Sequence, residues 1–244
     1  MDPNSAELHA VSAQPPRSAK LGGGIYAIVD GETLGWPAAP DDPQLIAVVR
    51  QSAEFALAAA QAGAVAVQLR YKAATSAAQT ACARAMIRAV GSALPIVVND
   101  DIAVALAVGS GLHLGQTDGD LTAARCELGD LALLGWSTHD LDQIDKANQL
   151  PMDYCGFGPV RSTASKRNPE PETGWAMLAD ACARCARPVV AIGGLQWQDA
   201  AIARSAGAHG MAVIGAWLRD GDGANSPMAA RVALTRIVRA WQEG

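Results

Sequence analysis

Three cations, two carboxylates and two glycine-bearing turns are the groups in this chain best suited to chemistry on phosphates. Arg70, Lys72 and Lys166 can each neutralise a phosphate, and the guanidinium of Arg70 can do so as a two-pronged fork. Asp100 and Asp118 each come just after a short apolar run, and two carboxylates plus substrate phosphate oxygens are the usual way to hold Mg2+. Gly193-Gly194 and Ile214-Gly215 follow two further apolar runs, where exposed backbone N–H groups can cradle a phosphate. The residue types therefore imply two phosphate sites, one built from cations and a metal, the other from backbone amides.

Each group also has a plainer reading. An Arg-x-Lys pair is usually a solvated face. An Asp after a strand is often a helix N-cap, the reading that suits Asp101. A Gly-Gly pair is often only a tight turn. His139 could be a structural histidine, and His113, inside an apolar run, could be core or near the site. Cys182-x-x-Cys185 matches half of a zinc site with no second pair to complete it. The case rests on where these groups fall together.

The elements that must position them recur along the chain. Short apolar, β-branched runs at Ile25–Val29, Ala64–Leu69, Pro95–Val98, Leu112–Leu114, Leu131–Trp136, Tyr154–Phe157, Val189–Ile192 and Met211–Ile214 read as strands. Ala-rich stretches at helical spacing lie between them, including Leu45–Ala62, Ser76–Val90, Trp175–Ala186, Trp197–Ala206 and Met228–Trp241. Gly63, Gly109 and Gly207 stand where helices should end. Continuous apolar strands alternating with helices predict a parallel sheet covered by helices, and eight such units predict a single (β/α)8 TIM barrel. An open sheet with fewer strands is the alternative. In a barrel, chemistry sits at the C-terminal strand ends. Every predicted run here is followed by polar, charged or glycine residues: Asp30, Gln68 to Lys72, Asn99 to Asp101, Gly115 to Asp118, Ser137 to Asp140, Gly158 to Lys166, Gly193-Gly194 and Gly215.

Composition bounds the rest. A chain of 244 residues, half of them apolar, suits one barrel of roughly 250 residues. The first 20 residues are Ser-, Ala- and Pro-rich and read as a loose tail, leaving residues 21–244 for the barrel. A net charge of -5 with no basic block argues against nucleic acid, and no run is long enough to span a bilayer. An acidic protein that binds phosphates must concentrate cations locally or recruit a metal. The odd count of five cysteines and the lack of a charged-then-apolar leader suggest a reduced, cytoplasmic setting. Oligomeric state stays open.

With these motifs in view, the chain resembles the thiamine phosphate synthase family from Ile25 to about Leu218. The motifs are Gln-Leu-Arg-x-Lys at Gln68 to Lys72, Asn99-Asp100, and His-Leu-Gly-Gln-x-Asp at His113 to Asp118. Ser137-Thr138-His139, Gly158-Pro159, Thr163 to Lys166 and Ile192-Gly193-Gly194 complete the series. The resemblance implies that a pyrimidine diphosphate and a thiazole phosphate are joined with release of pyrophosphate. It further implies that Arg70, Lys72 and Lys166 serve the departing pyrophosphate, that Ser137 sits beside the pyrophosphate or the reacting methylene, and that Asp100 and Asp118 hold Mg2+. Gln68 and Asn99 would contact the pyrimidine diphosphate. Thr163, Ser165, Gly194, Ile214 and Gly215 would hold the thiazole phosphate. Tyr71 stands where many members have Glu, Gly215 where Ser is common, and Arg161-Ser162 where an aromatic-Pro pair is common. The segment Gly31–Pro43 is longer than usual. A related thiazole tautomerase, which needs no diphosphate site, and a non-catalytic thiazole phosphate sensor are the rival readings.

Overall fold

The computed structural model describes residues 21–163, 170–219 and 226–244; the expected tail and the sites expected at Ser165 and Lys166 lie outside the described residues. Eight parallel strands close into a barrel in chain order: β1 (Gly24–Asp30), β2 (Ala66–Arg70), β3 (Ile96–Asn99), β4 (Gly111–Leu114), β5 (Leu134–Thr138), β6 (Tyr154–Phe157), β7 (Val189–Ala191) and β8 (Gly210–Val213). Closure comes from β1 pairing with β8, Gly24 to Ala27 aligned with Gly210 to Val213. The open-sheet alternative is thereby excluded. The helices outside are α1 (Asp42–Ala62), α2 (Ser76–Val90), α3 (Ile102–Val108), α4 (Leu121–Leu128), α5 (Leu141–Ala147), α6 (Gly174–Arg184), α7 (Ala200–Ser205), α8 (Gly215–Leu218) and α9 (Pro227–Glu243). No helix among the described residues is long and apolar enough to cross a membrane.

Alternation along each strand makes two cores. One parity faces the helices and packs with residues such as Phe55, Met86, Leu134 and Trp217. The other points into the barrel, where Tyr26, Ala66, Val97, Tyr154, Val190 and Ala212 form the plug beneath the rim. Because both faces are buried, the strands read as continuous apolar runs.

The helix starts are written locally. Asp41 and Gln44 form a reciprocal capping box at α1, and Thr75 caps α2. Asp101, Asp120 and Asp140 accept backbone N–H groups at the first turns of α3, α4 and α5. Gly63 and Gly109 end α1 and α3 in the left-handed conformation, as their positions predicted.

Some boundaries differ from expectation. Leu131 is 95% exposed, and β5 starts only at Leu134. Leu131 sits in a turn that precedes the strand. The single helix expected at Trp197–Ala206 is a 3-10 turn, Trp197–Asp199, followed by the short α7. The one-turn α8 was not anticipated; four residues carry no periodicity to read.

The long segment after β1 has a structural partner. Trp36 sits edge-on to Tyr71 with ring centroids 5.1 Å apart, and the Tyr71 hydroxyl donates to the Pro37 carbonyl. Tyr71, one of the departures from the family pattern, therefore packs against the segment that is itself another departure.

Candidate active site

At the C-terminal end of the barrel the inward parity delivers side chains from every strand into one pocket of about 290 Å3. Gln68 and Arg70 come from β2, Asn99 and Asp100 from the end of β3, His113 from β4 and Asp118 from the loop after it. Ser137 comes from β5, and Gly194, Ile214 and Gly215 from the loops after β7 and β8. Lys72 and Thr163 also line it. Of the thirteen residues expected at the site, the eleven that are described all meet here.

The charged side is tightly paired. Arg70, buried at the rim, donates to Asp30 and has Glu32 at 3.7 Å. Thr33 donates to the other Asp30 oxygen through both its N–H and its hydroxyl, fixing that carboxylate. Lys72 Nζ lies 2.7 Å from Asp100 Oδ2. Asp100 and Asp118 lie close enough for each to shift the titration of the other, so the two carboxylates converge. Burial raises the Asp100 carboxyl above the usual range, against the pull of Lys72. Asp118 is lowered: burial pushes it up, but the Asp100 side chain, the Gly115 N–H and the Lys72 charge outweigh that. Adjacent carboxylates of this kind favour a single proton between them or a cation. Asp100 is also the one non-glycine residue with positive φ (65°) among the described residues, a conformation that aims its side chain at the pocket while Asp101 caps α3.

These residues suit a divalent cation. Two carboxylate ligands with room for phosphate oxygens and water are a typical Mg2+ set, and no third His, Cys, Asp or Glu joins them among the described residues. A second sign of a polar ligand is Asn99, whose buried Nδ2 has no acceptor among the described residues.

The floor is a hydrogen-bonded chain. Gln68 Nε2 donates to the Tyr26 hydroxyl at 3.3 Å, Tyr26 contacts the Tyr154 hydroxyl at 2.9 Å, and Tyr154 contacts His113 Nδ1 at 2.9 Å. His113 Nε2 meets Ser137 Oγ at 2.8 Å. Burial raises both tyrosine pKa values, so these phenols stay neutral. A Cβ on Gly135 would overlap the Tyr154 ring, so this β5 glycine makes room for the floor. Tyr26 and Tyr154 were missed from sequence, although each has the inward parity of a site residue on its strand. His139 lies outside the pocket lining and hydrogen bonds the Gly158 carbonyl, the structural role.

The opposite side of the rim is made of backbone. Gly193 and Gly194 have φ of 91° and 68°, and the loop after β6 crosses them closely: Arg161 N donates to Gly193 O, and a Cβ on Gly194 would run into the Ser162 carbonyl. Arg161 itself points away, paired with the buried Asp199 at 2.7 Å and lying over Trp175. It anchors the loop and is absent from the pocket lining.

Fold and site together define a (β/α)8 protein whose rim is organised around anions, with charged side chains on one side and backbone donors on the other. The chain belongs to the thiamine monophosphate synthase family, whose model matches residues 42–217. A curated thiamine-phosphate synthase of Chlamydia caviae is 37% identical over 195 residues, covering 76% of this chain and 86% of its own. That of Chlorobium phaeovibrioides is 35% identical over 217 residues, covering 84% and 97%. A solved thiamine phosphate pyrophosphorylase from Pyrococcus furiosus superposes with a TM-score of 0.71 at 26% identity, covering 93% of this chain and 98% of its own.

Proposed function

We propose that the protein is a thiamine phosphate synthase, a transferase that couples hydroxymethylpyrimidine diphosphate to thiazole phosphate and releases pyrophosphate. The observation that carries this reading is the Asp100–Asp118 pair with Lys72 and Arg70 at one edge of a single pocket whose other edge offers backbone donors.

The chemistry follows from the residues. The C–O bond between the pyrimidinylmethyl carbon and the diphosphate breaks, and the electron pair leaves with the diphosphate oxygen. The thiazole nitrogen then gives its lone pair to that carbon, forming the C–N bond. No proton need be removed, so no nucleophile–base pair is required. What lowers the barrier is fixed positive charge where negative charge develops. Arg70, locked by Asp30 and Glu32, and Lys72 supply it, and Lys166 joins them in this reading. Asp100 and Asp118 would hold Mg2+, which supplies charge neutralisation of the leaving diphosphate. Asn99 Nδ2 and Gln68 contact the pyrimidine diphosphate. Ser137, held by His113, faces the reacting methylene. Ile28, Ile192 and Ala212 line the pocket and keep water from the electron-poor carbon. Thr163, Ser165 and the amides of Gly194, Ile214 and Gly215 take the thiazole phosphate. The substrates are thus small molecules, and the cytoplasmic setting suggested by the cysteines is part of the same proposal.

A coupling assay with both substrates and Mg2+ tests it. Formation of thiamine phosphate with stoichiometric pyrophosphate is expected, and neither product forming would refute the reading. Proton exchange on the thiazole without coupling would move the assignment to a tautomerase.

A further inference from the structure

Three described cations line the pocket: Arg70, Lys72 and Arg219. The first two are neutralised by carboxylates, Arg70 by Asp30 and Glu32, Lys72 by Asp100. Arg219, just after α8, donates its backbone N–H to the Gly215 carbonyl, but its side chain makes no ion pair or hydrogen bond with any described group and the residue is exposed at the rim. Its wall differs from the one opposite in a second respect. The backbone N–H groups of Gly193, Gly194, Ile214 and Gly215 have no acceptor among the described residues. A Cβ built on Gly215 would meet no atom within 4 Å, so no side chain at that position competes for the space. Glu170 lines the same pocket but is not paired with Arg219.

Among the described residues, backbone donors without acceptors beside a cation without an ion-pair partner are complementary to a compact dianion. The geometry points to Arg219 as a specificity-determining residue that recognises the phosphomonoester of the second substrate, working with the backbone amides where Gly215 offers no side chain. This rests on the synthase reading and deepens it. Arg219 acts on binding of the thiazole partner alone: the diphosphate is met by Arg70, Lys72 and the Asp100–Asp118 pair.

Steady-state kinetics on the full chain with Mg2+ would compare wild type, Arg219→Ala and Arg219→Lys. In Arg219→Ala the KM for thiazole phosphate should rise about tenfold, the scale of one lost charge-assisted contact. The KM for the pyrimidine diphosphate and kcat should stay within about twofold, and Arg219→Lys should recover part of the loss. Preference for thiazole phosphate over the unphosphorylated thiazole alcohol should fall by the same factor as the KM rises. An unchanged KM, or an equal rise for both substrates, would overturn the assignment. Should the wild type show no coupling, the synthase reading fails by itself. Calorimetry of thiazole phosphate then decides Arg219 separately: binding weakened in Arg219→Ala sustains it, and equal binding by both proteins sinks it. Because the exposed side chain makes no hydrogen bond or ion pair with a described group, thermal denaturation of the variants should match wild type.

Discussion

The two sides of the rim meet anions by opposite means. On the side of β1 to β4, charge sits on long side chains, and each cation is held by a carboxylate before any substrate arrives: Arg70 by Asp30, Lys72 by Asp100. On the side of β7 and β8, the donors are peptide N–H groups held by glycine geometry, without carboxylate partners. Paired charges are stiff and costly to bury, and they suit a leaving group whose charge grows during reaction. Backbone donors carry no net charge, and they suit a phosphate whose charge does not change. The difference teaches that one pocket can separate a catalytic anion site from a binding one by choice of donor.

Removing a carboxylate should break the charged side most severely. Asp118→Ala is expected to lower kcat about a hundredfold or more and to abolish the Mg2+ dependence. Because Asp118 also accepts from Gly115 N at 2.9 Å, Asp118→Asn is the sharper variant, keeping that bond while deleting the charge. Full activity in either would end the metal assignment. Lys166→Ala should cost at least about tenfold in kcat, or about 1.4 kcal/mol, where an ordinary surface lysine costs nothing. A change below about twofold would remove Lys166 from the site.

The floor beneath both sides gives a subtler readout. Tyr154→Phe deletes the hydroxyl that joins Tyr26 to His113, and should lower stability by about 1–3 kcal/mol by leaving buried groups unpaired. Thermal denaturation would reveal it, and an unaltered Tm would show that the chain is not structural.

Acidification should separate the two sides with the smallest effect. Mg2+ needs Asp100 ionised, and the Asp100 carboxyl is raised by burial. Metal affinity therefore begins to fall at a higher pH than for an ordinary aspartate, as protons compete for the pair. Titrations of Mg2+ across the acid range should show proton uptake on metal release. Thiazole phosphate binding, which meets no carboxylate pair, should lack that component, and a matching acid dependence for both ligands would erase the distinction.

Most of the charged side was legible in the sequence because each residue sits at or just beyond a strand end. Asp100 could be told from Asp101 in principle, since an N-cap must stand directly before its helix, and Asp101 does. Thr163 and Gly194 could be placed at the pocket through their motifs, and Ile214 and Gly215 through their position at the end of the last apolar run. The pairing of Tyr71 with the segment after β1 was not: the two lie more than thirty residues apart, and the β1–β2 pairing sets Tyr71 beside Trp36 and Pro37.

What the sequence determined by itself was local: strand parity, helix caps, and the type of group at each strand end. These are decided by neighbours within a few residues, where backbone sterics and hydrogen bonds act. Only the tertiary structure decided which groups meet. Strand pairing brings Asp100 against Asp118, barrel closure sets Tyr26 on Tyr154 across 128 positions, and the Arg219 side chain is left without an ion-pair partner among the described residues of the same pocket. The reason is physical: a charge or hydroxyl takes its character from what lies within a few ångströms, and that distance is set by packing, not by spacing along the chain.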